Sequence, residues 1–230
     1  MGEKQLPNKE VTSFIAMAHE LKAPLAVIRQ LVIARDQYSS QETENALRRI
    51  ELLTERMLRL TQTLSYSHSI AEFETETINL NHLCEAVLHE FTPLCRELGR
   101  EIEFHPSRQQ LLVCSNREVL HSMLVGLCDN AIHYSEDNAN IVVHARRVKD
   151  TMRVGVQDNG THIQAAQLKQ MRHAPHQFAV RPARSGLGIY IAEQFAKALK
   201  ANLHIMRPRS GGLNIYLDVP QSKQLHLFTV

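Results

Sequence analysis

Residues 14–33 read FIAMAHELKAPLAVIRQLVI, and the apolar positions Phe14, Ala18, Leu21, Leu25, Ile28 and Val32 are spaced alternately by four and three. That spacing is a heptad seam along one side of a helix, and such a seam is stable only against another helix. It predicts a helix from about Val11 to Gln37, with His19 and Glu20 just off the seam on the solvent side. Pro24 falls inside the run. A proline there removes one backbone hydrogen bond and crowds the preceding turn, at a cost of ~3 kcal/mol. Something other than helix stability therefore accounts for it. A polar turn, Tyr38 to Glu42, precedes a second seam at Ala46, Ile50, Leu53, Met57, Leu60 and Leu64. Two such helices joined by a short turn make an antiparallel hairpin. A lone hairpin leaves its apolar surface wet, so two copies are expected to pair into a four-helix bundle as a homodimer. The alternative is an intramolecular hairpin leaning on the rest of the chain.

Beyond the hairpin the pattern changes. Ser65 to Thr77 (SYSHSIAEFETET) loses the heptad and reads as a linker, and from Ile78 helical and strand-like runs mix. Asn81 is expected to cap a helix to about Leu98, which Gly99 ends, and Asn116 to cap another over Arg117–Tyr134. Strands are expected at Glu101–His105, Leu111–Cys114, Ile141–Val148, Met152–Val156, Leu203–Arg207 and Leu213–Val219, with a helix at about Gly188–Leu199. Helices on one side of a sheet describe an α/β sandwich. The fold class is thus α + α/β: a dimerising helical hairpin, residues 1–72, a linker, 73–79, an α/β sandwich domain, 80–222, and a tail, 223–230.

Composition narrows the function. The 230 residues carry a formal charge of +2 with no basic block, which gives no case for nucleic acid. No apolar run approaches the ~20 residues of a membrane span, and no signal peptide is evident, so no membrane contact is expected in this chain. The four cysteines, Cys84, Cys95, Cys114 and Cys128, lack metal-ligand spacing and read as reduced, mostly buried thiols of a cytosolic protein. The third predicted helix carries, besides its core face, a stripe at Gly126, Asn130, His133 and Tyr134. An amide, an imidazole and a phenol on one side of a helix either line a polar pocket or form an ordinary wet face.

Four motifs in order resemble those of sensor histidine kinases, and together they span nearly the whole chain from residue 11 to 220. HELKAPL resembles the H-box, which implies that His19 is the phospho-acceptor and that Glu20 orients its ring. An exposed imidazole with a pKa near ~6.5 is mostly neutral at cell pH and keeps a nucleophilic lone pair. CDNAIHYS is similar to the N-box, implying that Asn130 binds Mg²⁺ against the ATP phosphates, that Tyr134 packs on adenine, and that His133 stands where a basic residue is usual. The run Val154–Gly160 resembles the G1 box, which makes Asp158 the acceptor for the adenine amino group beside Gly160. The run Ser185–Ile189 looks like the G2 box, with Gly186, Leu187 and Gly188 bringing backbone N–H groups to phosphate at a helix start. Between the last two, Gln164–Arg184 falls where the family has its ATP lid, and holds Arg181 and Arg184.

The resemblance implies a Bergerat-type ATP-binding domain, ATP and Mg²⁺ as cofactors, and a homodimer. It further implies transfer of the phosphoryl group from His19 to an aspartate of a response-regulator receiver domain. The expected location is cytoplasmic, either outright or as the cytoplasmic part of a membrane-bound sensor. Several positions depart from the family pattern. Gly126 replaces a frequent second asparagine, His162 and Arg184 replace glycines of the G1 and G2 boxes, and Ala23 replaces the Thr or Asn four residues after the histidine. Those departures favour the rival expectation, a degenerate dimeric signalling module that acts through protein contacts.

Overall fold

The computed structural model describes residues 9–69, 74–135, 139–160, 187–208 and 211–221; the helical side chains of 9–17, 19–20, 63–69 and 187 lie outside that description. The chain divides into two compact units, Met1–Thr61 with Gln164–Tyr190, and Gln62–Ile163 with Ile191–Val230.

In the first unit, helix α1 (Lys9–Ala34) continues through Pro24, which is buried. A 3₁₀ turn, Arg35–Gln37, leads to α2 (Ser40–Ser69). The expected polar turn Tyr38–Glu42 is shorter than its composition suggests, because Ser39 and Glu42 form a capping box. Ser39 N donates to Glu42 Oε2 at 2.8 Å, and Glu42 N donates to Ser39 Oγ at 3.3 Å. The backbone bond from Ser39 holds the Glu42 carboxyl below its ordinary value. Helix α2 also runs to Ser69, into the segment expected to be linker. Along the seam, Leu25 and Val32 are 51% and 48% exposed, while Ile50, Leu53, Met57 and Leu60 are half-buried. Among the described residues no helix is long and apolar enough to cross a membrane.

The second unit opens with strand β1 (Glu76–Asn79), which the sequence reading had divided between linker and domain. It pairs antiparallel with β3 (Leu112–Ser115), Ile78 opposite Val113. Helix α3 (Leu80–Glu97) is capped by Asn79, not by the expected Asn81: the Asn79 side chain accepts from Asn81 N at 3.0 Å. Asn81 instead turns its amide to the Ser107 and Gln109 carbonyls at 3.0 and 3.3 Å, fastening the loop before β3. Gly99, at φ +63°, ends this helix as expected.

The main sheet has the order β2 (Glu101–His105), β4 (Asn140–Val148), β5 (Thr151–Gln157), β7 (Asn214–Pro220), β6 (Asn202–Met206). The β2–β4 pair is parallel and the other pairs are antiparallel. Helices α3 and α4 (Arg117–Tyr134) pack against the sheet, α3 on β2 and β4, and α4 on β4 and β5. Alternation along the strands sends Ile141, Val143, Ala145, Val154, Val156, Ile215 and Leu217 to a buried face. Each large aliphatic buried there is worth about 1.5–3 kcal/mol. Helix α5 (Leu187–Ala198) precedes β6 and buries Ile191, Ala192, Phe195 and Ala196.

The opposite face is polar, and its middle is paired within the sheet. In register across four strands stand His144, Gly155, Tyr216 and His204. A Cβ at Gly155 would run into Ile215 O and Tyr216 Cβ, so glycine is required where β5 meets Tyr216. The Tyr216 ring stacks on His204 at 5.0 Å and lies under the Arg153 guanidinium at 3.8 Å. Arg153 grips Asp218 through two bonds of 2.7 and 2.8 Å. That pairing holds the Asp218 carboxyl below its ordinary value despite partial burial. Its contribution is therefore complete above the unfolded carboxyl pKa of ~3.9 and fades as pH falls through the lower folded value. Asp218→Asn is expected to cost about 2 kcal/mol at pH 7 and to flatten the loss of stability below about pH 4. Urea denaturation at pH 7 and pH 3 checks both.

Candidate nucleotide-binding site

Helix α4 is fastened at both ends. At its start the Asn116 side chain accepts from Val119 N at 2.7 Å and donates to Glu74 O at 2.8 Å, so one buried amide caps the helix and holds the segment leading into β1. At its end Ser135 Oγ and N both donate to Ala131 O, and Arg100 Nη2 donates to Ser135 O at 3.1 Å. Between these anchors Val119, Leu120, Met123, Leu124, Leu127 and Ala131 are buried, as their spacing predicts. The second stripe differs in character: Gly126, Asn130 and Tyr134 are half-buried and His133 is exposed. His133 and Tyr134 meet edge to face, ring centroids 4.7 Å apart.

Three segments converge on Asp158, just beyond β5. Asp158 Oδ1 accepts from Gly160 N at 2.8 Å and from Leu213 N at 3.2 Å, while Asp158 N donates to Leu213 O at 2.8 Å. Gly160 lies against the last turn of α4, where a Cβ would stand 2.5 Å from Tyr134 O. Gly212, at φ +69°, lies so close that a Cβ would collide with the Asp158 carbonyl. The end of α4, the Asp-Asn-Gly turn and the Gly211-Gly212 turn thus form one junction. It brings Asp158 and Gly160 up against Tyr134. Gly212 and Leu213 belong to that junction although sequence reasoning gave them only a turn and a strand start; the paired glycines were the available signal. Asp129, buried and partnered beside Asn130, was likewise not singled out.

The remaining candidates are distributed differently. His19 and Glu20 lie in the middle of α1, and their side chains fall outside the described residues. Leu187 and Gly188 begin α5. His162, Arg181, Arg184 and Gly186 lie outside the described residues. Among the described residues no cluster of three or more His, Cys, Asp or Glu is arranged to hold a metal. A single amide oxygen at Asn130 still suits Mg²⁺, which keeps several waters and takes its other oxygens from phosphates. The thiols are inert, Cys114 excepted: burial pushes Cys84 up to about 12 and Cys95 to about 11, and Cys128 well above its ordinary value. Cys84, Cys95 and Cys128 are buried and Cys114 is exposed, in line with the expectation of mostly buried thiols.

Residues 115–223 match the family model of histidine kinase-, DNA gyrase B- and HSP90-like ATPases. The sensor protein DegM of Bacillus sp. (strain B21-2) is 22% identical over 222 residues, covering 96% of this chain and 57% of DegM. Among solved structures, the histidine kinase ThkA in complex with the response regulator TrrA matches with a TM-score of 0.64 and 20% identity, over 94% of this chain and 62% of that one. ShkA in complex with AMPPNP matches with a TM-score of 0.60 and 16% identity, over 93% of this chain and 46% of that one. The chain spans about half the length of the curated relatives it matches.

Gly160→Ala is expected to drive its methyl into the Tyr134 carbonyl and to lower stability by about 1–3 kcal/mol. Amide resonances of Tyr134, Asp158 and Leu213 should move together in the variant. Thermal melting and ¹⁵N–¹H correlation spectra check the two expectations.

Proposed function

We infer the activity from one premise: the chain belongs to the sensor histidine kinases and carries their catalytic core. Its α/β domain is of the ATP-binding type. The activity proposed is ATP-dependent autophosphorylation of His19, followed by transfer of the phosphoryl group to an aspartate of a response-regulator receiver domain. The observation that carries the nucleotide half is the junction at Asp158, where Gly160 closes the turn against the α4 carbonyl of Tyr134. Asp158 would take the adenine amino group and Tyr134 would pack on the ring. Asn130 would hold Mg²⁺ through its amide oxygen, with His133 beside it, and the ion would supply charge neutralisation for the phosphates. Gly186, Leu187 and Gly188 would supply backbone N–H groups to the phosphates, and Arg181 and Arg184 would neutralise charge from the lid. Phosphoryl transfer requires positioning and charge neutralisation more than covalent chemistry by the protein.

His19 attacks through a neutral ring nitrogen; Glu20 would orient the ring and hold its other proton. The half-exposed seam residues Leu25 and Val32 support pairing of two hairpins in a homodimer, because a monomer leaves that stripe in water. The proposed location is cytoplasmic.

His19→Gln is expected to abolish the acid-labile, base-stable label formed with γ-labelled ATP and Mg²⁺, while dimerisation and nucleotide affinity persist. Label that survives in this variant assigns the nucleophile elsewhere. Asn130→Ala should weaken Mg²⁺-dependent ATP binding, and Asp158→Asn should reduce preference for adenine over guanine, each by about 1–3 kcal/mol in calorimetric titrations. The departures at Gly126, His162, Arg184 and Ala23 favour the second reading, a degenerate module working through protein contacts. A wild-type chain that binds no ATP analogue at millimolar concentration would decide for it.

A further inference from the structure

We propose that the open face of the main sheet carries a binding site for a small oxyanion, a carboxylate- or phosphate-bearing molecule, between the end of β2 and the strands β4, β5 and β7. A cavity of about 360 Å³ opens there, lined among others by His105, Ser107, His144, Arg146, Gln157 and Asn214. That volume is at the lower end of small-ligand pockets. It lies on the face opposite the junction at Asp158: Val154 and Val156 point to the buried side, and Gln157 to the open one.

The lining has more hydrogen-bond donors than acceptors. Arg146 makes no hydrogen bond or close ion pair among the described residues, its charge acting on Asp218 only at longer range. Ser107 Oγ accepts from Gln109 N at 3.2 Å, which leaves the hydroxyl proton to be donated. Gln157 Oε1 accepts from Asn214 Nδ2 at 3.3 Å, which leaves the Gln157 amide hydrogens without a partner among the described residues. Asn214 Oδ1 is taken by His144 Nε2 at 3.0 Å. The carboxylates nearest on this face are already engaged. Glu103 binds Asn140 Nδ2 at 2.8 Å and His105 Nε2 at 3.4 Å, and Asp218 is held by Arg153. A guanidinium, a hydroxyl and an amide facing one cavity that no carboxylate lines suit an anion with several acceptor oxygens. The electrostatics agree. Burial lowers the His144 pKa, the hydrogen bond with Asn214 opposes it, and the positive charges of Arg146, Arg153 and His105 lower it further.

Nucleotide-free protein is titrated with succinate and, separately, with inorganic phosphate at constant ionic strength, followed by ¹⁵N–¹H spectra and calorimetry. Saturable binding of at least one, with Kd near or below about 1 mM, is expected, with shifts centred on Ser107, His144, Gln157 and Asn214. The tighter of the two tells whether a carboxylate or a phosphate is the natural group. Arg146→Gln should weaken binding at least tenfold, Ser107→Ala less, and Arg147→Gln, an equal charge change on the next residue, should leave it unchanged. Far-ultraviolet circular dichroism confirms that the variants fold. Failure of both anions to saturate overturns the site, and so does an equal loss in Arg146→Gln and Arg147→Gln, which means an adventitious ion only. Neither result bears on His19 or on ATP, so the kinase reading stands or falls separately.

Discussion

The carboxylate of Asp158 is the interaction on which the second unit's arrangement turns. One oxygen accepts two backbone N–H groups, from Gly160 and Leu213, and so closes the turn after β5 and ties it to the start of β7. Two glycines make that closure possible, since a side chain at either Gly160 or Gly212 would strike a backbone carbonyl. The turn in turn abuts the last turn of α4 at Tyr134. A buried polar junction of this kind is stable only when fully bonded, because an unsatisfied backbone group costs as much as a lost hydrogen bond. Here the bonds run from Gly160 N and Leu213 N to the carboxylate and from Asp158 N to Leu213 O.

The sheet separates two chemistries. Its buried face is aliphatic and is covered by α3 and α4, which accounts for most of the apolar core. Its other face solves the harder problem of burying a tyrosine among polar neighbours. Gly155 makes room, His204 stacks on the ring, and Arg153 lies over it while binding Asp218. The result is a face on which acidic groups are matched locally, while Arg146 makes no hydrogen bond or close ion pair among the described residues and acts on Asp218 only at longer range.

Much of this was legible in the sequence. Strand and helix positions followed from periodicity, and Asn116 and Gly99 fell where their residue types suggest. Two of the errors share one cause, competition among polar residues for a cap. Asn79 and Asn81 are both good N-caps two residues apart, and only the demand of the Ser107–Gln109 loop for an amide assigns Asn81 elsewhere. Ser39 and Glu42 looked like a turn because a capping box has a turn's composition. Strand β1 lacked a signal of its own: with Ile78 as its one fully buried residue, it exists because β3 pairs with it. At the junction, Asp158 and Gly160 fall together in one short run of sequence, whereas Gly212 and Leu213 join them through a tertiary contact that no local pattern encodes.

Gly126 shows how the helix and the pocket constrain each other. A glycine inside a helix costs about 1 kcal/mol relative to alanine, and the position lies in α4, the helix that bears Asn130 and Tyr134. That loss is tolerated because α4 does not depend on propensity. Asn116 satisfies its first turn, Ser135 and Arg100 hold its last, and one side is buried along its length. Tertiary packing, not intrinsic preference, supplies most helical stability in such a setting. What Gly126 removes is a side chain from the second stripe, one turn before Asn130. In the proposed nucleotide site the α4 side falls to Asn130 and Tyr134, and the fastening of the helix at both ends holds the backbone that bears them.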